Sequence, residues 1–367
     1  MRKFFVQVHL WLSVPAGLII SLVCLTGAIL SFDKEILELV YPEWYFVEKT
    51  EGVKPLSPEK LVLLANEQLE DNSVASIQIQ SDPERTYTLG LKEGFRVSAF
   101  INPNSGEITG IYHYRESFFY KIMALHRWLM DGSRTVGKVT VGVSTVFFVF
   151  ILLTGIIVWF PQNKRLWKNG FRVYFRYGVT RFLRDIHITL GMYAFLLLLI
   201  CSLTGLMWSF EGYRNTVFGL FGVEAQQGGH RGSRTSNENT LDISNWDEVY
   251  SHLAAANPGY QYIRIQDKSA TVLAADAAHS RATDKYSFNA ETGEVTSKEL
   301  YSKTKSTSKI MTWAYALHVG SYWGIFGRFI TFLASLIGAT LPFTGYYIWF
   351  VRKRAVYRNK KEMDNLL

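Results

Sequence analysis

The sequence predicts an α-helical membrane protein with four transmembrane helices, arranged as two parallel repeats that each carry an α+β insert. Three observations carry this: four long apolar runs separate two polar stretches, basic residues gather beside particular runs, and short motifs recur in both halves. Composition agrees, with 48% of the 367 residues hydrophobic and 19% charged, below the roughly 25% charged of an average soluble domain. A mean hydropathy of +0.06 fits apolar segments segregated from polar ones and excludes a disordered chain.

The apolar runs are His9–Phe32, Val136–Phe160, Ile186–Phe210 and Ile325–Val351. A run of about 24 residues reaches about 36 Å as a helix, enough to cross a hydrocarbon core of about 30 Å. Arg2 and Lys3 before the first run suit a signal peptide, but the run is long and no small-x-small site follows before Asp33, so a retained span is expected.

Lys164, Arg165, Lys168, Arg172, Arg176, Arg181 and Arg184 fall between the second and third runs, and Arg352, Lys353 and Arg354 follow the fourth. Cytoplasmic chain is enriched in such residues, which places both termini in the cytoplasm. The stretch Asp33–Glu116, with 15 acids against 8 bases, then belongs outside. The net charge of +8 therefore reads as a topology signal, and no nucleic-acid motif accompanies it. The expected segments are a span over 1–32, an insert over 33–116, an interfacial helix and span over 117–163 and a cytoplasmic loop over 164–184. A span over 185–210, a second insert over 211–308, an interfacial helix and span over 309–351 and a cytoplasmic tail over 352–367 follow. Cys24 and Cys201 lie inside spans and are read as small packing residues.

The two halves match residue by residue. His9 precedes Gly27 of Leu25-Thr26-Gly27 by 18 residues, and His187 precedes Gly205 of Leu203-Thr204-Gly205 by 18. Gly137 precedes Gly155 by 18, Gly327 precedes Gly345 by 18, and Trp-Phe pairs close both segments. Ala124-Leu125-His126 and Ala316-Leu317-His318 stand just upstream of the second and fourth runs. Each half crosses the membrane twice, so the copies share one orientation and a pseudo-twofold axis along the membrane normal.

Within the first insert, Ser57-Pro58-Glu59 reads as a helix cap with proline in the first turn, leading to a helix ending near Leu69. Alternating runs around Ile77, Tyr87 and Val97 read as strands, with a hairpin turn at Asn102–Glu107. The second insert repeats this with Ser244 as cap, a helix to about Ala256 and a turn at Asn289–Glu294; Glu224–Leu241 reads as a mobile linker. Each insert is expected to be a small unit of one helix on an antiparallel sheet.

Of eight histidines, His9, His187, His126 and His318 form two equivalent pairs, while His113, His230, His252 and His279 lack matching partners and read as surface residues. His9 and His187 begin their spans at the cytoplasmic side, whereas His126 and His318 stand at the outer face. Depth therefore pairs His9 with His187 and His126 with His318 across the axis. Two imidazoles facing each other in an apolar bundle suit axial ligation of low-spin haem b, and no Cys-x-x-Cys-His motif for covalent haem is present. Two haems b are expected. Five helical turns put Gly27 on the face of His9, and Gly205 on that of His187, leaving room for the second macrocycle. Gly155 and Gly345 would make room at the inner haem, and Gly137 and Gly327 at the outer one; ordinary close helix packing accounts for any single glycine equally well. Tryptophans such as Trp11, Trp208 and Trp323 read as interfacial anchors, and Arg127, Arg184 and Arg328 suit either propionate pairing or topology.

His9-Leu10-Trp11 leading to Thr26-Gly27, the Leu125-His126-Arg127-Trp128 motif and the Asn…Gly-Glu turns resemble the motifs of the PepSY-associated transmembrane family of bacteria. The resemblance covers nearly the whole chain, although the second half has Leu317-His318-Val319-Gly320 where the first has Leu125-His126-Arg127-Trp128. It implies PepSY-like periplasmic inserts and a place in the bacterial inner membrane. Members include ferric-siderophore reductases, so it also implies haem-dependent delivery of electrons to a ferric siderophore or other ferric chelate in the periplasm. No flavin or nicotinamide fingerprint occurs, which makes an external donor, a quinol or a reductase, the expectation. Two other classes remain open: a non-catalytic membrane module whose inserts bind peptides or proteins, and a metal transporter. Against the transporter, the spans lack intramembrane Asp or Glu.

Overall fold

A computed structural model describes residues 1–48, 52–70, 72–160, 171–224, 242–304 and 306–364. The linker expected over Glu224–Leu241 falls, after Glu224, outside the described residues, as does much of the basic loop. In chain order the helices and strands begin with α1 (Arg2–Leu30), α2 (Asp33–Val40), α3 (Pro42–Tyr45), α4 (Pro58–Gln68), β1 (Val74–Gln80), β2 (Tyr87–Leu91), β3 (Val97–Ile101) and β4 (Ile108–His113). Then come α5 (Phe118–Trp128), α6 (Val136–Trp159), α7 (Val179–Ser209), α8 (Glu211–Leu220), α9 (Trp246–Ala256) and β5 (Tyr262–Gln266). The chain ends with β6 (Ser269–Leu273), β7 (Asp284–Phe288), β8 (Val295–Glu299), α10 (Thr307–Val319) and α11 (Gly324–Asp364). These elements divide into a helical unit (Met1–Ser31, Ile122–Thr216, Leu317–Leu367) and a sheet unit (Phe32–Lys121, Val217–Ala316).

In the helical unit, α1, α6, α7 and α11 are each long and apolar enough to cross a membrane. Both α1 and α7 pack against α6 and α11, so α1 and α7 lie on one diagonal of a four-helix bundle. Ala16, Ile20, Phe148, Ile151, Leu152, Ala194, Leu198 and Ala334 are buried between them, and the three alanines allow the close backbone approach that dispersion needs where no hydrophobic effect acts between helices. Leu18, Phe150 and Leu196 are exposed on the outside, as lipid-facing side chains should be. Three helices outrun their apolar runs: α1 begins at Arg2 ahead of His9, α7 at Val179 ahead of Ile186, and α11 continues past Val351 to Asp364. Hydropathy marks the part of a helix that suits hydrocarbon, while the backbone ladder continues into polar sequence.

In the sheet unit, the two polar stretches do not form separate sheets. They merge into one antiparallel sheet of order β4-β3-β2-β1-β5-β6-β7-β8, joined where Ile77 and Ile79 of β1 pair with Ile265 and Ile263 of β5. Each four-stranded meander alone would expose β1 or β5 as an unpaired apolar edge, and pairing them removes both edges. On one face, α4 (Leu61, Val62, Ala65) and α9 (Trp246, Val249, Leu253) cover the inward residues Ile77, Ile79, Leu89, Ala99, Ile101, Ile263, Ile265 and Val272.

The two expected caps act differently from the sequence reading. Ser57 stands at the N-cap of α4 without a side-chain cap bond. Instead Glu59 N–H donates to Asp247 Oδ1 (2.9 Å) and Asp247 N–H donates to Glu59 Oε1 (3.2 Å), so α4 and α9 cap each other. The N-cap of α9 is Asn245 rather than Ser244, in the left-handed conformation at φ 68°. Its amide donates to the carbonyls of Ala290 and Glu291 at 2.9 and 3.0 Å. Both hairpin turns fall where expected: Asn102 N–H donates to Glu107 O and Asn289 N–H to Glu294 O, each at 2.9 Å. Gly106 and Gly293 take the positive φ (77° and 69°) that the turn demands.

Of the four histidines read as surface residues, His113 and His252 are exposed and His230 lies outside the described residues. His279 corrects that reading, at 4% exposure. Its neighbours determine its tautomer: Arg281 N–H donates to Nδ1 (3.1 Å), so Nε2–H donates to Tyr301 Oη (2.9 Å). Tyr301 O–H donates in turn to Thr312 Oγ1 (2.7 Å), whose own proton goes to Lys309 O (2.9 Å). Burial, and then the Arg281 charge, hold the His279 pKa below its ordinary 6.5. The unfolded chain then binds the extra proton first, so the sheet unit should lose stability as pH falls below 6.5 toward the depressed native pKa, and a thermal melt of His279→Gln should lose that part of the slope.

Candidate functional site

The four paired histidines all lie in the helical unit, His9 on α1, His187 on α7, His126 at the end of α5 and His318 at the end of α10. The structure brings together His9 with His187, ring centres 6.4 Å apart and planes at 85°, and His126 with His318, 6.1 Å apart at 69°. His9 and the α1 residues that contact His126, namely Val23, Thr26 and Gly27, sit about 21–27 Å apart by helical rise, close to the thickness of a hydrocarbon core.

Each imidazole rests in a cradle formed by a different span, and the same three parts recur four times. His126 Nδ1–H donates to Val23 O (2.9 Å) and Thr26 Oγ1 (3.1 Å) of α1. His9 Nδ1–H donates to Ile151 O (3.0 Å) and Thr154 Oγ1 (3.2 Å) of α6. His318 Nδ1–H donates to Cys201 O (2.9 Å) and Thr204 Oγ1 (3.1 Å) of α7. His187 Nδ1–H donates to Leu341 O (3.1 Å) and Thr344 Oγ1 (2.9 Å) of α11. The carbonyl in each case belongs to the residue three before the threonine, and the glycine follows the threonine directly.

Those contacts determine where each proton lies. A carbonyl only accepts, and each threonine hydroxyl already donates to a carbonyl of its own helix. Nδ1 must therefore carry the proton, which leaves a lone pair on Nε2. Among the described residues, Nε2 of these four histidines has no hydrogen-bond partner, while His279 has its Nε2 engaged. This is the state of a ligating histidine, with one ring nitrogen anchored and the other free to bind metal.

The glycines take a different part from the one their spacing suggested. A Cβ on Gly27 would come within 3.1 Å of the His126 ring, on Gly155 within 3.4 Å of His9, and on Gly205 and Gly345 within 3.3 Å of His318 and His187. They make room for the imidazole itself, so Gly27 and Gly205 stand at the His126/His318 level and Gly155 and Gly345 at the His9/His187 level. At Gly137 and Gly327 a Cβ would strike the Trp128 and Gly320 carbonyls. Both mark close backbone approach where a span begins against the preceding loop. The threonines are visible in the sequence as the Thr-Gly dipeptides that mark the repeat, but nothing in the sequence alone brings them to the histidines.

Two imidazoles on opposite sides of one metal, with bonds of about 2 Å and about 1.2 Å from nitrogen to ring centre, place the ring centres about 6.4 Å apart. Both observed separations match that requirement. Among the described residues no three or more His, Cys, Asp or Glu side chains gather to hold a metal ion. A two-imidazole donor set therefore suits a metal whose remaining positions are filled by a macrocycle, and neutral imidazole is the axial ligand haem iron uses.

The surroundings add two details. Trp208, expected only as an interfacial anchor, packs edge-on to His318 with ring centres 5.6 Å apart, whereas Trp11 and Trp323 are 68% and 64% exposed. Cys201 is a free thiol beside the His318 backbone, with Sγ 3.4 Å from its carbonyl, and Cys24 is also free.

Comparison with known proteins finds no match among curated proteins. The model of the PepSY-associated TM region matches residues 6–352 and takes in every one of these histidines, threonines and glycines, so the chain belongs to that family.

Proposed function

We propose that this protein is a di-haem b transmembrane electron carrier that reduces a ferric siderophore or other ferric chelate, with His9/His187 and His126/His318 as the two pairs of axial ligands. The observation that carries the reading is the two pairs of imidazoles, each anchored through Nδ1, with ring centres 6.4 and 6.1 Å apart. Haem, when bound, supplies reversible one-electron Fe(III)/Fe(II) chemistry at each level. The chain's part is to hold four neutral imidazoles in one tautomer, to place the levels about 21–27 Å apart along the bundle, and to bury both among apolar helices.

On this reading the two halves are parallel repeats, and the basic segment after α6 and the basic end of α11, with Arg352, Lys353 and Arg354, lie in the cytoplasm of a bacterium. The sheet unit then lies on the periplasmic side of the inner membrane. An external quinol or reductase supplies one electron per ferric ion at the cytoplasmic level, and the chelated Fe(III) takes it up at the outer level. Reduction to Fe(II) weakens the hold of hard oxygen donors, which favours release of the metal.

A reduced-minus-oxidised visible spectrum of the purified full chain, with haem quantified per chain, tests the reading. Two low-spin haems b per chain are expected. A protein without haem absorption after expression with ample haem would overturn it.

A further inference from the structure

The imidazole cradles ask for more explanation than helix packing needs. A backbone carbonyl alone would suffice to hold Nδ1–H, yet in all four cases a threonine hydroxyl adds a second acceptor at 2.9 to 3.2 Å. In every case the hydroxyl proton is turned toward its own helix, at 2.7 Å to the carbonyls of Leu22, Phe150 and Ile200 and at 2.9 Å to that of Leu341. The threonine can therefore offer the histidine only a lone pair. A glycine beside it brings the ring within reach of that oxygen, since any Cβ there would come within 3.1 to 3.4 Å of the imidazole.

We propose that Thr26, Thr154, Thr204 and Thr344 are positioning residues that set the rotation and electron density of the four imidazoles, Thr154 and Thr344 acting on the His9/His187 level and Thr26 and Thr204 on the His126/His318 level. This rests on the haem reading above. Two acceptors on one N–H define the ring plane, where a single carbonyl leaves it free to rock. They also draw the Nδ1 proton outward, which makes Nε2 a stronger donor and stabilises the oxidised metal over the reduced one. Valine is the informative replacement because it keeps the shape of threonine and removes the lone pair, while serine restores the hydroxyl.

Full-length Thr154→Val, Thr344→Val, Thr26→Val and Thr204→Val proteins, each beside its Thr→Ser partner, are compared by optical redox titration, ferric electron paramagnetic resonance and haem retention against apomyoglobin. The first two should move the potential of one haem upward, and the last two that of the other haem. Each should weaken retention at its own level about tenfold to a hundredfold, with serine near the parent value. A purely structural role would disturb both levels together, or neither. Potentials and resonance signals that stay at parent values in all four valine variants overturn the proposal, as do shifts that ignore the level assignment. Should a valine variant fail to fold, the other threonine of its level gives the same readout. A parent protein that binds no haem overturns instead the reading beneath it.

Discussion

His126→Ala should purify with one haem per chain instead of two, and so should His9→Ala, while the double variant should hold none. Removing His126 leaves His318 facing an empty position 6.1 Å away, with Val23 O and Thr26 Oγ1 deprived of their shared donor. Iron cannot keep low-spin bis-imidazole ligation with one axial nitrogen, so the loss should exceed the about 10- to 100-fold typical of outer partners. The surviving level should be spectrally intact, because about 21–27 Å of helix separates the two. The ring planes add a check on the parent protein. At 85° and 69° they are strongly crossed, and crossed imidazole planes leave the iron d orbitals close in energy, which should give highly anisotropic low-spin ferric signals. A haem content of two in both single variants would remove these histidines from the site.

Trp246→Ala should open the sheet unit. Trp246 begins α9, is fully buried, and packs in the cluster where α4 and α9 meet the strands on either side of the β1–β5 junction. Truncating a buried tryptophan to alanine costs about 3–5 kcal/mol, since the lost contacts leave a cavity that the surroundings fill only in part. Hydrogen exchange of the β1 and β5 amides in the full chain should accelerate by about two to four orders of magnitude. Trp246→Phe should lose much less. The indole Nε1 is buried without a hydrogen-bond partner among the described residues, and removing an unsatisfied buried donor recovers about 1–3 kcal/mol against the smaller loss of apolar area. Exchange rates unchanged in the alanine variant would show that this cluster does not limit opening of the sheet.

The helices of the bundle and the hairpin turns are local consequences of their residues. A long apolar run crosses as a helix because no other single-chain structure satisfies its backbone in hydrocarbon, and the glycines at 106 and 293 select their turn by a positive φ. Helix ends were less legible: Arg2 to Val8 continue α1 although hydropathy points to His9. The junction of β1 with β5 was not legible at all, because an alternating run encodes a face and not a partner, and Ile77 meets Ile265 across about half the chain. His279 was misread for a related reason. Its burial depends on Tyr301, Thr312 and Trp313, each distant in sequence and none predictable as its neighbour.

Which histidines share a level could be reasoned from depth alone, since a span of known rise carries each residue to one face of the membrane. What surrounds each ring could not. Eighteen residues align Gly27 with His9 on one helix, but the group that enters its notch comes from α5, and the threonine beside it meets His126. Residue order determined the spans and the turns, because those follow from periodicity and transfer energy along one segment. Only the packing of α1, α6, α7 and α11 against one another decided which oxygen receives each Nδ1 proton, because a hydrogen bond between helices depends on rotation and contact that no single segment contains.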